Sequence, residues 1–518
     1  MMEGTNPVLK RLHLKLPHPA LGDNRSHEKR LRDEISSIIS KKPYMPLGVA
    51  QQLPNCFYSS DYNVQVALID SECGWQIASC LPNGEKSAFL GLAIDLGSTS
   101  VVFYLVDFIK KEVIASASYE NPQRVHGEDI LERIIFATQG GLKKLQNEII
   151  DLINKAITNF SKEYNFKKEE IYYISIAGNT TMCHFLLALD PSHICKEPYL
   201  PVANRFDLIS PKELDIEINP NGLIYVLPNV GSYFGGDLIA GILASKMAER
   251  EEISMLVDVG TNAEVVLGNK DWLVACAGAA GPALEGGILS CGMRAQEGAI
   301  ERVKIDPKTL SVEYEVIGKG RPKGLCGSGI IDLLAAMFEA NLVDQTGKLM
   351  LDKDPKRMKK INDEWAYIVA DESETSTGAP VYISQSDIKN LIRSKGAMYT
   401  ILNVVIQSVG IEFSDIDTFY VAGAFGNYID PKRAITIGML PDIPVERFVG
   451  LGNSAGKGAV RALLERDARK KMEEICEKIT YLEMNVRGDF MNQLTGALFL
   501  PHTDLSRFPT VSKRLGLR

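Results

Sequence analysis

Two matched turns carry the residues best suited to chemistry in this 518-residue chain. Each follows an apolar run and reads Asp, any residue, Gly, and then small hydroxyl or amide side chains. The first turn comprises Asp95, Gly97, Ser98 and Thr99, and the second comprises Asp258, Gly260, Thr261 and Asn262. Glycine lets the backbone bend so that successive N–H groups point into one concavity, where they bind phosphate oxygens. One such turn alone is a plain hairpin, but the matched pair predicts two hairpins that grip a triphosphate.

The carboxylates of these turns suit a metal ion. An Asp at a strand end holds hydrated Mg²⁺ or orients a water beside phosphates. We therefore predict that Asp95 and Asp258 bind Mg²⁺ and serve catalysis. The repetition of the hairpin also predicts a duplicated domain with one hairpin in each half.

Three further segments complete the predicted site. A glycine-led helix starts at Gly235, and its Asp237 either caps that helix or orients the attacking water. A second helix, rich in small residues, is predicted to start within 451–459. We expect it to pack against the first helix as a hinge between two lobes. A strand at 420–422 leads into a glycine-rich turn that either lets a ring or ribose approach the backbone or serves tight packing. That turn contains Gly423, Ala424 and Gly426.

Composition and charge restrict the class of protein. Hydrophobic residues make up 45% and charged residues 24%, which is typical of a soluble globular chain. The net charge of −8 argues against binding to nucleic acid or to an anionic membrane. We find no signal peptide or membrane span and expect a cytoplasmic protein. The nine cysteines are scattered without a CxxC spacing, so we expect buried reduced thiols and no metal or iron–sulfur cluster.

The chain is predicted to have three parts. Residues 1–44 are expected to form a linker arm, residues 45–88 a small middle α/β domain, and residues 89–518 the main domain. Within the main domain we predict lobes at about 89–253 and 254–460 and a helical segment at 461–518. Strands alternate with helices, which indicates the α/β class. The helices are predicted at 129–160, 237–250, 330–340, 387–410 and 456–472, and the basic run 466–471 is expected to be a solvated helix face.

In chain order these segments resemble the phosphate 1, connect 1, phosphate 2, adenosine and connect 2 motifs of the actin, hexokinase and heat-shock ATPase superfamily. The resemblance implies a duplicated two-lobed, ribonuclease H-like α/β fold that binds ATP and Mg²⁺. Further motifs resemble those of the reductive activators of corrinoid proteins. They are NPQ at 121–123, GEDILERI at 127–134, AGNTTM at 177–182, PY at 198–199, AGPALEG at 280–286 and GLCGSG at 324–329.

This family resemblance implies a function. It implies a homodimeric ATPase that couples ATP hydrolysis to reduction of Co(II) to Co(I) in a corrinoid protein of a methyltransferase or O-demethylase system. The electron would come from a ferredoxin-type iron–sulfur domain or protein that this sequence does not contain, since it begins where the linker after such a domain would begin. Glu285 and Gly286 are expected near the ribose or adenine, because a carboxylate accepts hydrogen bonds from ribose hydroxyls.

Several alternatives stay open at this point. The same scaffold serves small-molecule kinases, with Asp237 as general base, and ATP-switched assembly proteins; activators of dehydratases are a third, related class. Asn179 and Thr180 either cap a helix or lie near the phosphates. His184 and His193 with the nearby cysteines are expected to be satisfied loop or core residues. For the segments 121–123 and 127–134 the residues themselves indicate no chemistry.

Overall fold

The computed structural model describes residues 7–232, 234–260, 262–279, 281, 289–482 and 490–517. The chain divides into two compact units. Unit 1 consists of Met1–Ala244 and Ser454–Glu477, and unit 2 consists of Ser245–Asn453 and Lys478–Arg518. Within the described ranges, no helix combines the length and apolar character that a membrane crossing requires.

The N-terminal part of unit 1 is a small three-stranded antiparallel sheet covered by two helices. Its elements are β1 (Leu9–Lys15), α1 (His27–Ile39), α2 (Leu47–Ser59), β2 (Asn63–Ser71) and β3 (Gly74–Pro82). Strand β1 comes from the segment that we expected to be an arm, yet it pairs with β2 from Leu9↔Ile69 to Lys15↔Asn63. Alternate leucines of this segment, Leu14 and Leu16, are buried in the core of the small sheet. The predicted boundary at residue 44 therefore falls within one folded layer.

The main sheet of unit 1 has five strands in the order β6-β5-β4-β7-β8. Strands β4, β5 and β6 are antiparallel neighbours, whereas β7 and β8 run parallel to β4. The elements of this region are β4 (Leu90–Leu96), β5 (Ser100–Asp107), β6 (Glu112–Glu120), α3 (Ile130–Phe136), α4 (Leu142–Tyr164), β7 (Ile171–Gly178), α5 (Thr180–Leu186), β8 (Leu223–Val226) and α6 (Gly236–Ser245). The predicted first hairpin is confirmed as β4 and β5.

The predicted helix at 129–160 is interrupted. Residues 137–141 separate α3 from α4, and Gly140 there has a φ of 97°. That left-handed conformation is accessible to glycine at little cost, so the Gly140-Gly141 pair ends one helix and starts the next.

Unit 2 contains a six-stranded sheet in the order β19-β18-β9-β10-β11-β20 and two three-stranded sheets. The chain returns to unit 1 at Ser454. The elements of unit 2 before that point are β9 (Ser254–Val259), β10 (Asn262–Gly268), β11 (Leu273–Ala279), β12 (Ala299–Ile305), β13 (Val312–Val316), β14 (Gly324–Leu325), α7 (Gly327–Glu339), β15 (Met358–Ile361), β16 (Glu364–Ala370), β17 (Val381–Ser384), α8 (Gln385–Val409), β18 (Thr418–Ala422), α9 (Gly423–Tyr428), α10 (Pro431–Thr436) and β19 (Phe448–Gly452).

The two main sheets repeat one topology. In each, three antiparallel strands are followed by two strands parallel to the first of them, β7 and β8 in unit 1 and β18 and β19 in unit 2. The chain thus folds into a duplicated α/β structure, as the sequence predicted. Strand β20 (Ile479–Tyr481) extends the second sheet, and two C-terminal helices follow, α13 (Phe490–Ala497) and α14 (Pro509–Leu515).

Residues 454–477 return to unit 1 as α11 (Ser454–Leu464) and α12 (Ala468–Lys478). The single helix predicted at 456–472 is therefore two helices. The predicted solvated face at 466–471 is only partly correct: Lys470 is exposed, but Arg466 pairs with Asp70 at 2.8 Å and Arg469 pairs with Glu72. These ion pairs join α12 and its connection to α11 to the small N-terminal sheet.

Candidate functional site

The first predicted phosphate turn joins β4 to β5. The last pair of this hairpin is Leu96↔Val101, so residues 97–100 form the turn. Asp95 lies two residues before the turn and is partly exposed, whereas Thr99 is exposed. A Cβ atom at Gly97 would lie 2.5 Å from the carbonyl oxygen of Ser100, so only glycine fits this tight bend.

The carbonyl groups of this turn are held by two buried side chains that sequence reasoning did not assign. Asn121 Nδ2 donates to the oxygen of Gly97 at 2.9 Å, and the Asn121 N–H donates to the oxygen of Thr99 at 2.9 Å. Arg133 Nη1 donates to the oxygen of Ser98 at 2.7 Å. Asn121 and Arg133 belong to the motifs at 121–123 and 127–134. The only sequence signal for them was the family resemblance, which carried no role.

Asp237 lies in the first turn of α6. The N–H of Gly236 donates to Asn229 Oδ1 at 2.9 Å, so Asn229 satisfies the start of this helix. Asp237 Oδ1 accepts from the N–H of Leu238 at 2.8 Å, which is a bond inside the helix rather than an N-cap. Burial raises the pKa of Asp237 to about 6, because the charged form is poorly solvated. A carboxyl group with such a pKa is suited to accept a proton near neutral pH.

Close backbone contact brings Asp237 to the edge of the sheet where Asp95 lies. A Cβ at Gly235 would be 2.3 Å from the Cα of Asn179, which follows β7 directly. In the sheet, Ala177 of β7 is the partner of Asp95 in β4. The carboxyl ends of parallel strands meet at one edge, as is usual for ligand sites in such sheets. Unit 1 therefore gathers a phosphate-type turn, a strand-end carboxylate and a potential base at this edge.

The neighbouring helix α5 begins at the same edge. Asn179 caps it by accepting from the N–H of Met182 at 2.9 Å, so the capping interpretation is confirmed. Thr180 Oγ1 donates to the oxygen of Gly231 at 2.9 Å. His184 is buried with both ring nitrogens engaged, Nδ1 by the oxygen of Thr180 and Nε2 by the N–H of Val202. It is a satisfied core residue, as expected.

The second predicted phosphate turn joins β9 to β10, with Val259↔Ala263 as its last pair. Asp258 pairs across the sheet with Ala422, the last residue of β18. The next residue, Gly423, has a φ of +77°, and a Cβ there would lie 2.9 Å from Asp258 Oδ1. Unit 2 therefore brings the predicted phosphate 2 and adenosine segments together.

The predicted adenosine segment is a helix rather than a glycine-rich turn. Residues Gly423–Tyr428 form α9 directly after β18, and Ala424 lies within it. A Cβ at Gly426 would lie 2.1 Å from the oxygen of Val421, so this glycine serves tight packing. Asn262 is the first residue of β10, and Gly260 directly follows β9. Thr261, Glu285 and Gly286 lie outside the described residues.

The donor groups in each unit suit a nucleotide-bound Mg²⁺. Asp95 and Asp258 each offer one carboxylate at a strand end, and Mg²⁺ is usually bound by one or two carboxylates with water and phosphate oxygens. In the part of the chain that the structure describes, no group of three or more His, Cys, Asp or Glu side chains could hold a metal ion. The residues thus fit a metal that arrives with phosphates.

Three family models match the chain. They are described as the RACo linker region, over residues 4–85, the RACo middle region, over 90–250, and the C-terminal domain of RACo, the ASKHA domain, over 252–512. Here ASKHA denotes the actin, sugar-kinase and heat-shock ATPase superfamily.

Individual relatives point the same way. The corrinoid activation enzyme RamQ of Eubacterium limosum is 34% identical over 430 residues, which is 81% of this chain and 72% of the relative. A reductase of a methylated amine-specific Co(II) corrinoid protein, from Methanosarcina barkeri, is 24% identical over 438 residues, or 78% of this chain and 75% of the relative. A solved reductive activator for a corrinoid, iron-sulfur protein superposes with a TM-score of 0.91 at 39% identity, covering 99% of this chain and 82% of that one.

Proposed function

The chain belongs to the RACo family of reductive activators of corrinoid proteins, and from this membership we propose that it hydrolyses ATP to drive the reduction of Co(II) to Co(I) in a corrinoid protein. The partner is a corrinoid protein of a methyltransferase or O-demethylase system. The electron comes from an iron–sulfur donor outside the given sequence. By family resemblance the chain acts as a homodimer.

The observation that supports ATP hydrolysis is the buried position and raised pKa of Asp237. Its pKa of about 6 leaves it mainly ionised at neutral pH, yet it keeps enough basicity to take a proton from water. Its place at the edge of the sheet next to β7 puts it on the same side of unit 1 as the turn after Asp95. A base beside a phosphate-binding turn is the arrangement that hydrolysis of a phosphoanhydride needs.

Each side chain then has a defined task. Backbone N–H groups of the turns at 97–99 and 260–262 would hold the phosphate oxygens, and Asp95 and Asp258 would hold Mg²⁺. When bound, the metal would neutralise charge on the phosphates. Asp237 accepts a proton from the attacking water, so that ATP and water yield ADP and phosphate. We propose that Gly423, Ala424 and Gly426 contact the adenosine and that Glu285 and Gly286 contact the ribose.

Hydrolysis must be coupled to the partner, because one-electron reduction of a corrinoid is uphill. We propose that hydrolysis changes the angle between the lobes, as in other nucleotide-driven hinge proteins. Helices α6 and α11 are the elements for this movement. They touch closely within unit 1, where a Cβ at Gly458 would lie 2.2 Å from the oxygen of Ala240.

The test is ATP hydrolysis by the full chain with Mg²⁺, with and without a corrinoid protein held as Co(II). We expect the corrinoid protein to stimulate hydrolysis, and with an iron–sulfur donor we expect the Co(I) absorption spectrum to appear. Hydrolysis that ignores the corrinoid protein contradicts the proposal. The kinase alternative, in which Asp237 deprotonates a substrate hydroxyl, predicts instead a phosphorylated sugar or acid among the products.

A further inference from the structure

Three consecutive carbonyl groups of the first turn are bound by two residues. Asn121 binds the oxygens of Gly97 and Thr99, and Arg133 binds the oxygen of Ser98. In a planar trans peptide the N–H of the next residue points away from the carbonyl oxygen. Fixing the carbonyls of Gly97 and Ser98 therefore directs the N–H groups of Ser98 and Thr99 to the opposite side.

The two residues are themselves rigidly held. Asn121 is 1% exposed, and its Oδ1 accepts from the N–H of Gln123 at 2.9 Å. Arg133 is fully buried, and its Nε donates to the oxygen of Gly127 at 2.9 Å. A Cβ at Gly127 would lie 2.5 Å from Glu132 Cβ, which explains why the motif at 127–134 begins with glycine. The anchors of the turn are thus fixed before any ligand binds.

The cost of burying Arg133 also points to an anionic ligand. Burial lowers the pKa of its guanidinium, and the carboxylates of Glu128, Asp129 and Glu132 offset this only in part. Its Nη2 is buried and has no hydrogen-bond partner. A neutral donor could hold one carbonyl, but a cation behind the turn also attracts phosphates that bind in front of it.

We propose that Asn121 and Arg133 are positioning residues for nucleotide phosphates, acting through the turn at 97–99. This inference rests on the proposed function and deepens it, because it explains the two motifs at 121–123 and 127–134. These residues fix the direction of the N–H groups, and Arg133 adds positive charge, so both favour binding of the phosphates and neither contacts the adenosine.

The test compares ligands with and without phosphates on the full-length protein. In Asn121→Leu the side chain keeps most of its volume and gains no charge, but it loses the Nδ2 donor to Gly97. In Arg133→Met the volume is largely kept, and the charge and hydrogen bonds are removed. We expect each variant to bind ATP at least about tenfold more weakly, because each loses at least one hydrogen bond of ordinary strength to the turn. Binding of adenosine, measured by calorimetry, should not change.

Controls separate this role from a general effect on folding. Asn159→Leu makes the same chemical change at an exposed position of α4 and should bind ATP as the wild type does. Circular dichroism checks that each variant is folded, and if Arg133→Met does not fold, Asn121→Leu alone decides. Unchanged ATP binding, or equal losses for ATP and adenosine, overturns the inference. A wild-type chain that binds no ATP would overturn the proposed function as well.

Discussion

The two repeats share a strand order but differ in the turn that follows their first strand. In unit 1, four residues separate the last hairpin pair, Leu96↔Val101, and buried side chains from outside the sheet hold the turn. In unit 2, three residues separate Val259↔Ala263, and Asp258 lies against the backbone of Gly423. Duplication has kept the sheet, whereas the surroundings of each turn have diverged.

The helix that follows the fifth strand shows the same divergence. After β8 the chain enters α6, which has Asp237 as its second residue, and after β19 it enters α11, which has Ala455 at that place. A carboxylate therefore stands at this position in the first repeat alone. The comparison teaches that the potential base belongs to the first repeat, and that the equivalent position of the second repeat carries no carboxylate.

The largest expected effect comes from removing that base. Asp237→Asn keeps the size of the side chain but cannot take a proton, so kcat for ATP hydrolysis should fall about 100-fold to 10,000-fold. The KM for ATP should change little, since Asp237 acts on the water rather than on the nucleotide. Steady-state phosphate release measures both constants.

The control for this variant is Asp207→Asn, which makes the same change at an exposed position of unit 1 and should leave kcat unaltered. If Asp237→Asn retains wild-type kcat, the asymmetry between the repeats has no catalytic meaning.

The two strand-end carboxylates allow a direct comparison of the turns. We expect Asp95→Asn and Asp258→Asn each to lower kcat/KM by about 100-fold, because a charged ligand of the phosphate-bound metal is lost. Titration of activity with Mg²⁺ should show a higher half-saturating concentration in both variants. A shift in one variant only would assign the metal to one repeat.

The raised pKa of Asp237 predicts how ATP hydrolysis depends on pH, because this residue of the first repeat must be ionised to act as a base. Activity should fall about tenfold per pH unit below a pH of about 6, since the protonated carboxyl group is no base. In Asp237→Asn the residual activity should lose this acidic limb. A limb that persists in the variant would belong to a different group.

Ionisation of Asp237 should lower the free energy of unfolding, although the same ionisation favours activity. Its pKa is raised from 3.8 in folding, so the native state binds the proton more tightly, and stability falls as pH rises from about 4 to 6. At pH 7, Asp237→Asn should therefore be more stable than the wild type by about 3 kcal/mol, from about two pKa units at about 1.4 kcal/mol each. Urea unfolding at about pH 3 and pH 7 measures this difference, which should nearly vanish at the lower pH, below both pKa values.

The smallest effect concerns the contact between α6 and α11 in unit 1. In Gly458→Ala the new Cβ would meet the oxygen of Ala240 at 2.2 Å, so α6 and α11 must separate, at a cost of about 1–3 kcal/mol. Thermal unfolding should occur at a lower temperature. Gly48→Ala is the matched control, because its new Cβ would have one neighbour, at 3.8 Å, and alanine favours the helix. Equal melting temperatures in the two variants would contradict close packing of α6 on α11.

Local patterns made the hairpins and the α/β class predictable from the sequence. An apolar run that ends in Asp-x-Gly and resumes after a few small residues specifies a hairpin by itself, and its repetition indicated the duplication. The anchors of the first turn could not be predicted in this way. Asn121 lies 24 residues from Gly97, and Arg133 lies 35 residues from Ser98, and no local pattern encodes such contacts.

Contacts between distant segments also explain other differences between the structure and the predictions made from the sequence. Strand β1 finds its partner in β2 after two intervening helices, so a short apolar alternation near the N-terminus looked like an arm. The breaks at 137–141 (ATQGG) and 465–467 (ERD) contain no proline, and apolar residues resume after each break, so each pattern looked like one helix. The environment of Asp237 depends on Asn229 and on close contact of Gly235 with Asn179, and neither could be inferred from sequence spacing.

The discontinuity of unit 1 has a consequence for synthesis of the protein. Residues 454–477 supply α11, whose Ala459 oxygen accepts from Ser175 Oγ of β7 at 2.7 Å, and α12, which pairs with the small sheet through Glu72. On the ribosome, the first 244 residues emerge long before these helices exist. The nascent first repeat must therefore wait, with one face of its sheet uncovered, until residue 477 of 518 has been made.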